Sequence, residues 1–376
     1  MTHSHGHDHS FIQTPDALRA LAARLSGEPC VVLDTEFVWE RTFYPILGLV
    51  QLALADGTCF LIDTVAVPDL SPLAGMLADP AIEKILHDAP QDLMILNRAA
   101  GVPARRVFDT RLAAGFAGMD GQTSLQNLLA DLLDVHLPKG HTRTDWTARP
   151  LSRHQLEYAV DDVVHMPRAA ALLREKARAS GVEGWLDEEL AALFDQAVYE
   201  ERAPEEAYLR LKAAAFLPRR NLAVLRELAA WRERTAREAD LPRGFVATDQ
   251  ELIAVARALP ENEADFMKCR ELDPRMARRH GAQLLAGVRR GLDLPEAQWP
   301  QPPVQPDERA LGKARIQALS ALIHARAEAR RLDPRLVASK ADVMQLLADG
   351  PAASPERHRL LRGWRAELLG DAWRAI

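Results

Sequence analysis

Asp34 and Glu36 stand two residues apart where a compact apolar run, Cys30 to Leu33, ends. Side chains at i and i+2 of a strand share a face, so a strand here projects both carboxylates together. Burying one unpaired carboxylate is costly, and a like charge beside it adds to the cost. A divalent cation held between them removes both costs. Exposure of the strand end to water does so too, and this pair alone does not decide. Two further acids bear on the choice. Asp92, after His87-Asp88-Ala89-Pro90-Gln91, falls in the first turn of a helix that follows a strand, and Asp162 lies inside a later helix. Tyr158 is one turn before Asp162, and an i, i+4 pair shares one helical face. Asp161 points about 100° away and reads as a solvated helix acid. Asp88 precedes its helix and reads as a turn or cap residue. His87 closes a strand and reads as structural or supporting, because a metal-site histidine needs a matched partner set. No Gly-x-Ser-x-Gly turn is present to suggest a serine nucleophile.

Apolar spacing indicates the elements that must position these residues. Cys30–Leu33 and Ile46–Leu54 read as buried strands, and Asp56-Gly57 reads as a hairpin turn returning through Thr58–Ile62. Pro72–Leu77 is predicted helical, Lys84–His87 a fourth strand, Asp92–Ala100 a helix closed by Gly101, and Val107-Phe108 a fifth strand. Ser124–Leu133 is predicted helical, and Ser152 opens one long helix to about Leu173. Strands first, with helices interleaved and then dominant, predict an α/β domain with a mixed sheet over residues 11–204. Residues 1–10, MTHSHGHDHS, read as a His-rich flexible tail with nothing to bury.

Beyond residue 204 the chain is helical and repeats itself. LPRGFVATDQEL at 241–252 matches LDPRLVASKADV at 332–343, and each copy sets a hydroxyl three residues before an acid. Thr248 with Glu251 makes a capping box, and Ser339 with Asp342 a weaker version of it. Leu222–Ala239 and Ile316–Arg331 read as the helices before each turn. Two related all-α modules are therefore predicted, at 205–293 and 310–376. The proline-rich stretch 294–309 between them favours an extended linker.

Asp34-x-Glu36, Gln91-Asp92-Leu93 and Tyr158-x-x-x-Asp162, in that order, resemble the three exonuclease motifs of the DEDD superfamily, in its tyrosine subtype. LDTEFVWERTFYPILGLVQLA (Leu33–Ala53) and RTDWTARPLSRHQLEYA (Arg143–Ala159) resemble the ribonuclease D family more narrowly, and the two C-terminal modules resemble HRDC domains. The second module matches less well and lacks a tryptophan at the position of Trp231. The resemblance implies a ribonuclease H-like α/β exonuclease domain with a mixed sheet, followed by two small HRDC-type helical domains. It implies a 3′→5′ exoribonuclease acting on RNA with a free 3′ end, notably tRNA precursors, and releasing 5′-nucleoside monophosphates. Hard oxygen ligands suit Mg²⁺ or Mn²⁺, and two such ions can clamp an in-line phosphoryl displacement. By resemblance Asp34 bridges the two ions, Glu36 and Asp162 serve the ion on the water side, Asp92 serves the other, and Tyr158 orients the attacking water. A proofreading-type DNA exonuclease shares this acid set, and a non-catalytic RNA-binding scaffold is the reading from another class.

Substrate contacts are less legible. Phe37, Trp39 and Tyr44 flank the first acid motif and could stack on terminal bases or pack in the core. Gln51 and the loop from His141 to Asp145 could line the path of the RNA strand. Lys139, Arg143, Arg149 and Arg153 precede the third motif, and Arg275, Arg278, Arg279 and His280 lie in the first helical module with Arg289 and Arg290 close behind. These cations could contact phosphates without regard to sequence, or form a solvated face. The net charge of −6 means that RNA binding would have to be local, through such patches. A 48% hydrophobic and 27% charged composition excludes a mostly disordered chain, and no run of about 18 apolar residues suggests a membrane span. Cys30, Cys59 and Cys269 are too few and too scattered for a disulfide framework, which fits a reducing compartment. With no secretion segment at the N-terminus, the expectation is a cytoplasmic monomer.

Overall fold

The computed structural model describes residues 9–137, 144–191, 201–303 and 306–376. Six strands form one mixed sheet in the order β1-β4-β3-β2-β5-β6. They are β1 (His9–Ile12), β2 (Cys30–Val38), β3 (Ile46–Leu54), β4 (Cys59–Asp63), β5 (Glu83–Leu86) and β6 (Val107–Asp109). β3 and β4 are antiparallel, joined through the predicted Asp56-Gly57 turn, where Gly57 takes a φ of 87°. β2, β5 and β6 run parallel. β1 pairs in parallel with β4, His9 opposite Cys59 and Ile12 opposite Ile62. His9 and Ser10 thus belong to the sheet and not to the predicted tail. An edge strand needs backbone pairing more than apolar side chains, and Phe11 and Ile12 supply the anchor.

Both faces of the sheet are covered, which is why its inner strands are nearly continuous apolar runs. Val31, Leu33, Val50, Leu52 and Ile62 face α1 (Pro15–Leu25), α2 (Ala74–Ala78) and α3 (Pro90–Ala100). Val32, Leu49, Ala53 and Leu61 face α4 (Thr110–Phe116), α5 (Leu125–Leu133), α6 (Arg153–Val164), α7 (Met166–Ala179) and α8 (Glu183–Ala191). The single helix predicted from Ser152 to about Leu173 is two, broken at His165. Pro167 is the reason. It has no N–H for the Val163 carbonyl, and its ring would strike that oxygen, whereas the first turn of a new helix tolerates it.

The longer C-terminal helices are α9 (Arg219–Glu238), α10 (Asp249–Ala258), α11 (Pro274–Leu292), α12 (Lys313–Ala329), α13 (Lys340–Asp349) and α14 (Gly363–Leu369). Both repeat copies carry their capping boxes, Thr248 with Glu251 and Ser339 with Asp342. The chain forms two compact units that do not follow chain order. One comprises the described parts of 1–38, 47–199 and 306–376, the other 39–46 and 200–305. In the second, α9 and α11 pack around Leu225, Leu228, Leu284 and Val288, and the Asp240 carboxylate accepts the backbone N–H groups of Phe43 and Tyr44. No helix among the described residues is long and apolar enough to cross a membrane.

Candidate metal centre

β2 continues past the acids to Val38, so strand alternation governs Asp34 and Glu36 directly. Both follow Val32 at two-residue steps on the face that α6 covers. α6 supplies Asp162 and, one turn earlier, Tyr158. One carboxylate oxygen each from Asp34, Glu36 and Asp162 lie within 4.8 Å of one another. Asp92 comes from the first turn of α3, and its carboxylate accepts the hydroxyl of Thr35, the residue between the two strand acids. Asp109 at the end of β6 sets the start of α3. Its two oxygens accept the N–H groups of Asp88 (3.1 Å) and Ala89 (2.9 Å), just before Pro90 opens the helix. Four acids from three elements thus converge at one end of β2.

Bringing them together raises every carboxyl in the group. Burial is the first cause for each. It lifts Asp34 well above the usual carboxylate range, with the charges of Asp92, Asp162 and Glu36 adding to it. Glu36 is pushed up to about 8 by burial and then by Asp162 and Asp92. Asp162 rises to about 7, with the nearby Tyr158 hydroxyl pulling the other way. Asp92 rises to about 6, held down in part by Thr35. The Tyr158 phenol is also raised, by burial and by Asp162, Glu36 and Asp34, so it stays protonated.

The sign of the stability effect follows. Between about pH 4 and 8 the folded protein holds more protons on these acids than the unfolded chain does, so stability falls as pH rises through that window. A divalent cation competes with the protons and reverses the loss. In chelator, the melting temperature should be lower at pH 8 than at pH 5. A divalent cation should raise it more at pH 8. A chelated protein equally stable at both pH values and indifferent to cations would mean that the acids do not form a cation site.

Known proteins match the chain over nearly its whole length. Residues 10–176 match the 3′–5′ exonuclease domain model, and residues 221–288 match the HRDC domain model. The chain is similar to Ribonuclease D of Desulfotalea psychrophila, 36% identical over 362 residues that make up 96% of each chain. It is similar to Ribonuclease D of Pseudomonas paraeruginosa at 38% identity, over 92% of this chain and 91% of that one. The chain belongs to the ribonuclease D family. In three dimensions it superposes on the crystal structure of Escherichia coli RNase D, an exoribonuclease involved in structured RNA processing. The TM-score is 0.88 and the identity 34%, over 98% of both chains. The chain is a 3′→5′ exoribonuclease that acts on RNA, built as an exonuclease domain with a mixed sheet followed by a helical HRDC domain. The exonuclease family depends on divalent metal, and its acidic cluster is present here.

The remaining residues singled out in the sequence scatter. His87 is structural: Nδ1 lies 3.0 Å from the Thr110 hydroxyl and Nε2 3.2 Å from the Thr123 carbonyl. Gln51 does not line a path for RNA. It is wholly buried on the face that carries Asp34 and Glu36, and its amide has no hydrogen-bond partner among the described residues. Arg149 is not free for phosphate, because its guanidinium is committed to Asp63 and to three backbone carbonyls. Phe37 is half-buried at the end of β2, on the strand face opposite Glu36. Tyr44 packs against Phe43, ring centroids 4.8 Å apart. Arg275, Arg278 and Arg279 are exposed on α11, and none of their guanidinium groups is paired with a carboxylate among the described residues. Lys139, Arg143 and most of the His141–Asp145 loop lie outside the described residues. Sequence reasoning missed Thr35 and Asp109. Thr35 carried a weak signal: between two inward acids it must point to the other face, where only a distant partner could meet it.

Proposed function

We propose that the chain trims the 3′ ends of structured RNA, tRNA precursors in particular, one nucleotide at a time, releasing 5′-nucleoside monophosphates. The observation that carries this is the meeting of Asp34, Glu36 and Asp162 within 4.8 Å. Two divalent cations, Mg²⁺ or Mn²⁺, supply charge neutralisation at the scissile phosphate and an acidified water when bound. Asp34, Glu36, Asp162 and Asp92 would hold them, with Asp34 as the shared ligand, Glu36 and Asp162 toward the attacking water, and Asp92 toward the leaving 3′ oxygen. Tyr158 orients the attacking water through its hydroxyl. A phenol held protonated by its surroundings is a hydrogen-bonding group and not a base. Arg275, Arg278 and Arg279 grip RNA phosphates, a role supported by their exposure and lack of carboxylate partners. Phe37 and Tyr44 remain candidates for stacking on bases.

The same proposal includes a second HRDC-like module at 310–376 that shares its core with the exonuclease domain over 11–204, to which His9 and Ser10 also belong, with the first HRDC domain over 205–293 and the linker at 294–309. Its support is the repeated turn and capping box. It also includes a monomer working in the cytoplasm, consistent with three free thiols.

The test uses purified protein, a tRNA with a 3′ extension and a single-stranded DNA of the same length. Each is incubated with Mg²⁺ or Mn²⁺ and with chelator, and the released nucleotides are identified. We expect cation-dependent release of 5′-monophosphates from the RNA, slowing at the mature end. Internal cleavage, 3′-phosphate products or faster attack on the DNA would overturn the reading.

A further inference from the structure

The Tyr158 ring rests on the indole of Trp146, with centroids 6.1 Å apart and planes tilted by 38°. Trp146 is only 3% exposed, yet it belongs to no helix or strand. Something other than a backbone ladder must hold it in place, and three features do.

Arg149 is the first. Its Nη1 donates to the carbonyls of Trp146 and Ala148, both at 2.8 Å. Its Nη2 donates to the Gly48 carbonyl on β3 at 2.7 Å and to Asp63 at 2.7 Å. Its Nε lies 3.0 Å from both Asp63 oxygens. The turn is thereby tied to the sheet through one planar group, which a lysine cannot imitate.

Asp63 is the second. It ends β4 at 2% exposure, and the N–H groups of Val65 (3.1 Å) and Ala66 (3.2 Å) fix its carboxylate. Burial alone would raise this carboxyl, but Arg149 holds it below its ordinary range, so it stays charged.

Gly48 is the third. A Cβ there would stand 2.4 Å from the Trp146 carbonyl oxygen and 2.9 Å from its Cβ. Only glycine lets the turn lie this close to β3.

We propose that Trp146 is a positioning residue for Tyr158, and that Arg149, Asp63 and Gly48 form the clamp that sets its position. The proposal rests on the reading of Tyr158 as the group that orients the attacking water. It gives Arg149 a role in site architecture where its position in the sequence suggests contact with RNA. A displacement of about 1 Å at a reacting group can cost about 10²-fold in rate, so a small sag of the indole is enough to matter.

The test is a double-mutant cycle on kcat and KM with single-stranded RNA and a divalent cation. Arg149→Lys and Trp146→Phe are each made alone and with Tyr158→Phe, and thermal unfolding is recorded for all. Expected is a loss of about tenfold in kcat for each single variant with KM within about twofold, shrinking to less than about twofold once Tyr158 is already Phe. Equal losses in both backgrounds would show that the turn acts on the site by another route and would overturn the proposal. So would unchanged kcat in both single variants. If Tyr158→Phe itself leaves kcat unchanged, the assignment of Tyr158 fails and the clamp proposal with it, a result distinct from the other two. Should Arg149→Lys fail to fold, Trp146→Phe keeps every clamp bond and carries the cycle alone.

Discussion

Asp34→Asn should abolish hydrolysis of RNA, lowering turnover by at least about 10³-fold, which corresponds to roughly 4 kcal/mol of transition-state stabilisation. Asparagine keeps the shape of the side chain and removes the charge and one oxygen. The effect is large because Asp34 lies in the cluster with Glu36 and Asp162 and feels the charge of Asp92 as well, so a cation held by the group would lose one of its charged ligands. The same substitution should make the cation-free protein more stable at pH 8, since it removes one of several like charges that burial forces together. RNA binding in chelator should be unchanged or slightly tighter. The checks are single-turnover kinetics, a binding titration and a thermal melt on the same preparation. Retained turnover would remove Asp34 from the reaction. Lost turnover with lost stability would point to a folding role instead.

Trp364→Ala should cost about 3–5 kcal/mol of folding stability, the usual penalty for emptying a large aromatic site in a core. Trp364 is 1% exposed on α14 and lies against Phe116 of α4, centroids 5.2 Å apart, and against Trp185 of α8 at 5.8 Å. Its indole N–H donates to Glu189 at 2.8 Å. The next residue, Arg365, meets both Glu189 oxygens at 2.6 Å. Residues 306–376 therefore share one core with the sheet domain, and the two should unfold together, at a lower denaturant midpoint. Trp364→Phe keeps most of the burial and should lose far less. A loss below about 1 kcal/mol for the alanine variant would mean that the C-terminal segment folds independently of the sheet domain.

How much of this was legible beforehand depends on the range of the interaction. Asp34, Glu36 and the Tyr158–Asp162 pair were readable because two-residue and four-residue spacings dictate which side chains share a face. The capping boxes at Thr248 and Ser339 were readable for the same reason, since a cap is satisfied within three residues. The break at His165 was available in Pro167, but apolar spacing across it continues and hides it. His9 and Ser10 could not be read as a strand, because the partner that orders them is β4, some fifty residues later.

The sequence by itself determined that Asp34 and Glu36 share a strand face, that Tyr158 and Asp162 share a helix face, most of the strands and helices after residue 30, and the repeated helical turn, because each is written in contacts between near neighbours in the chain. Only the tertiary structure decided that the acids from β2, α3 and α6 meet, that Gln51 is sealed inside, and that Arg149 serves Asp63, 86 positions away, instead of phosphate. A guanidinium binds whichever anion the fold brings to it, and charge and spacing along the chain do not reveal which one that is.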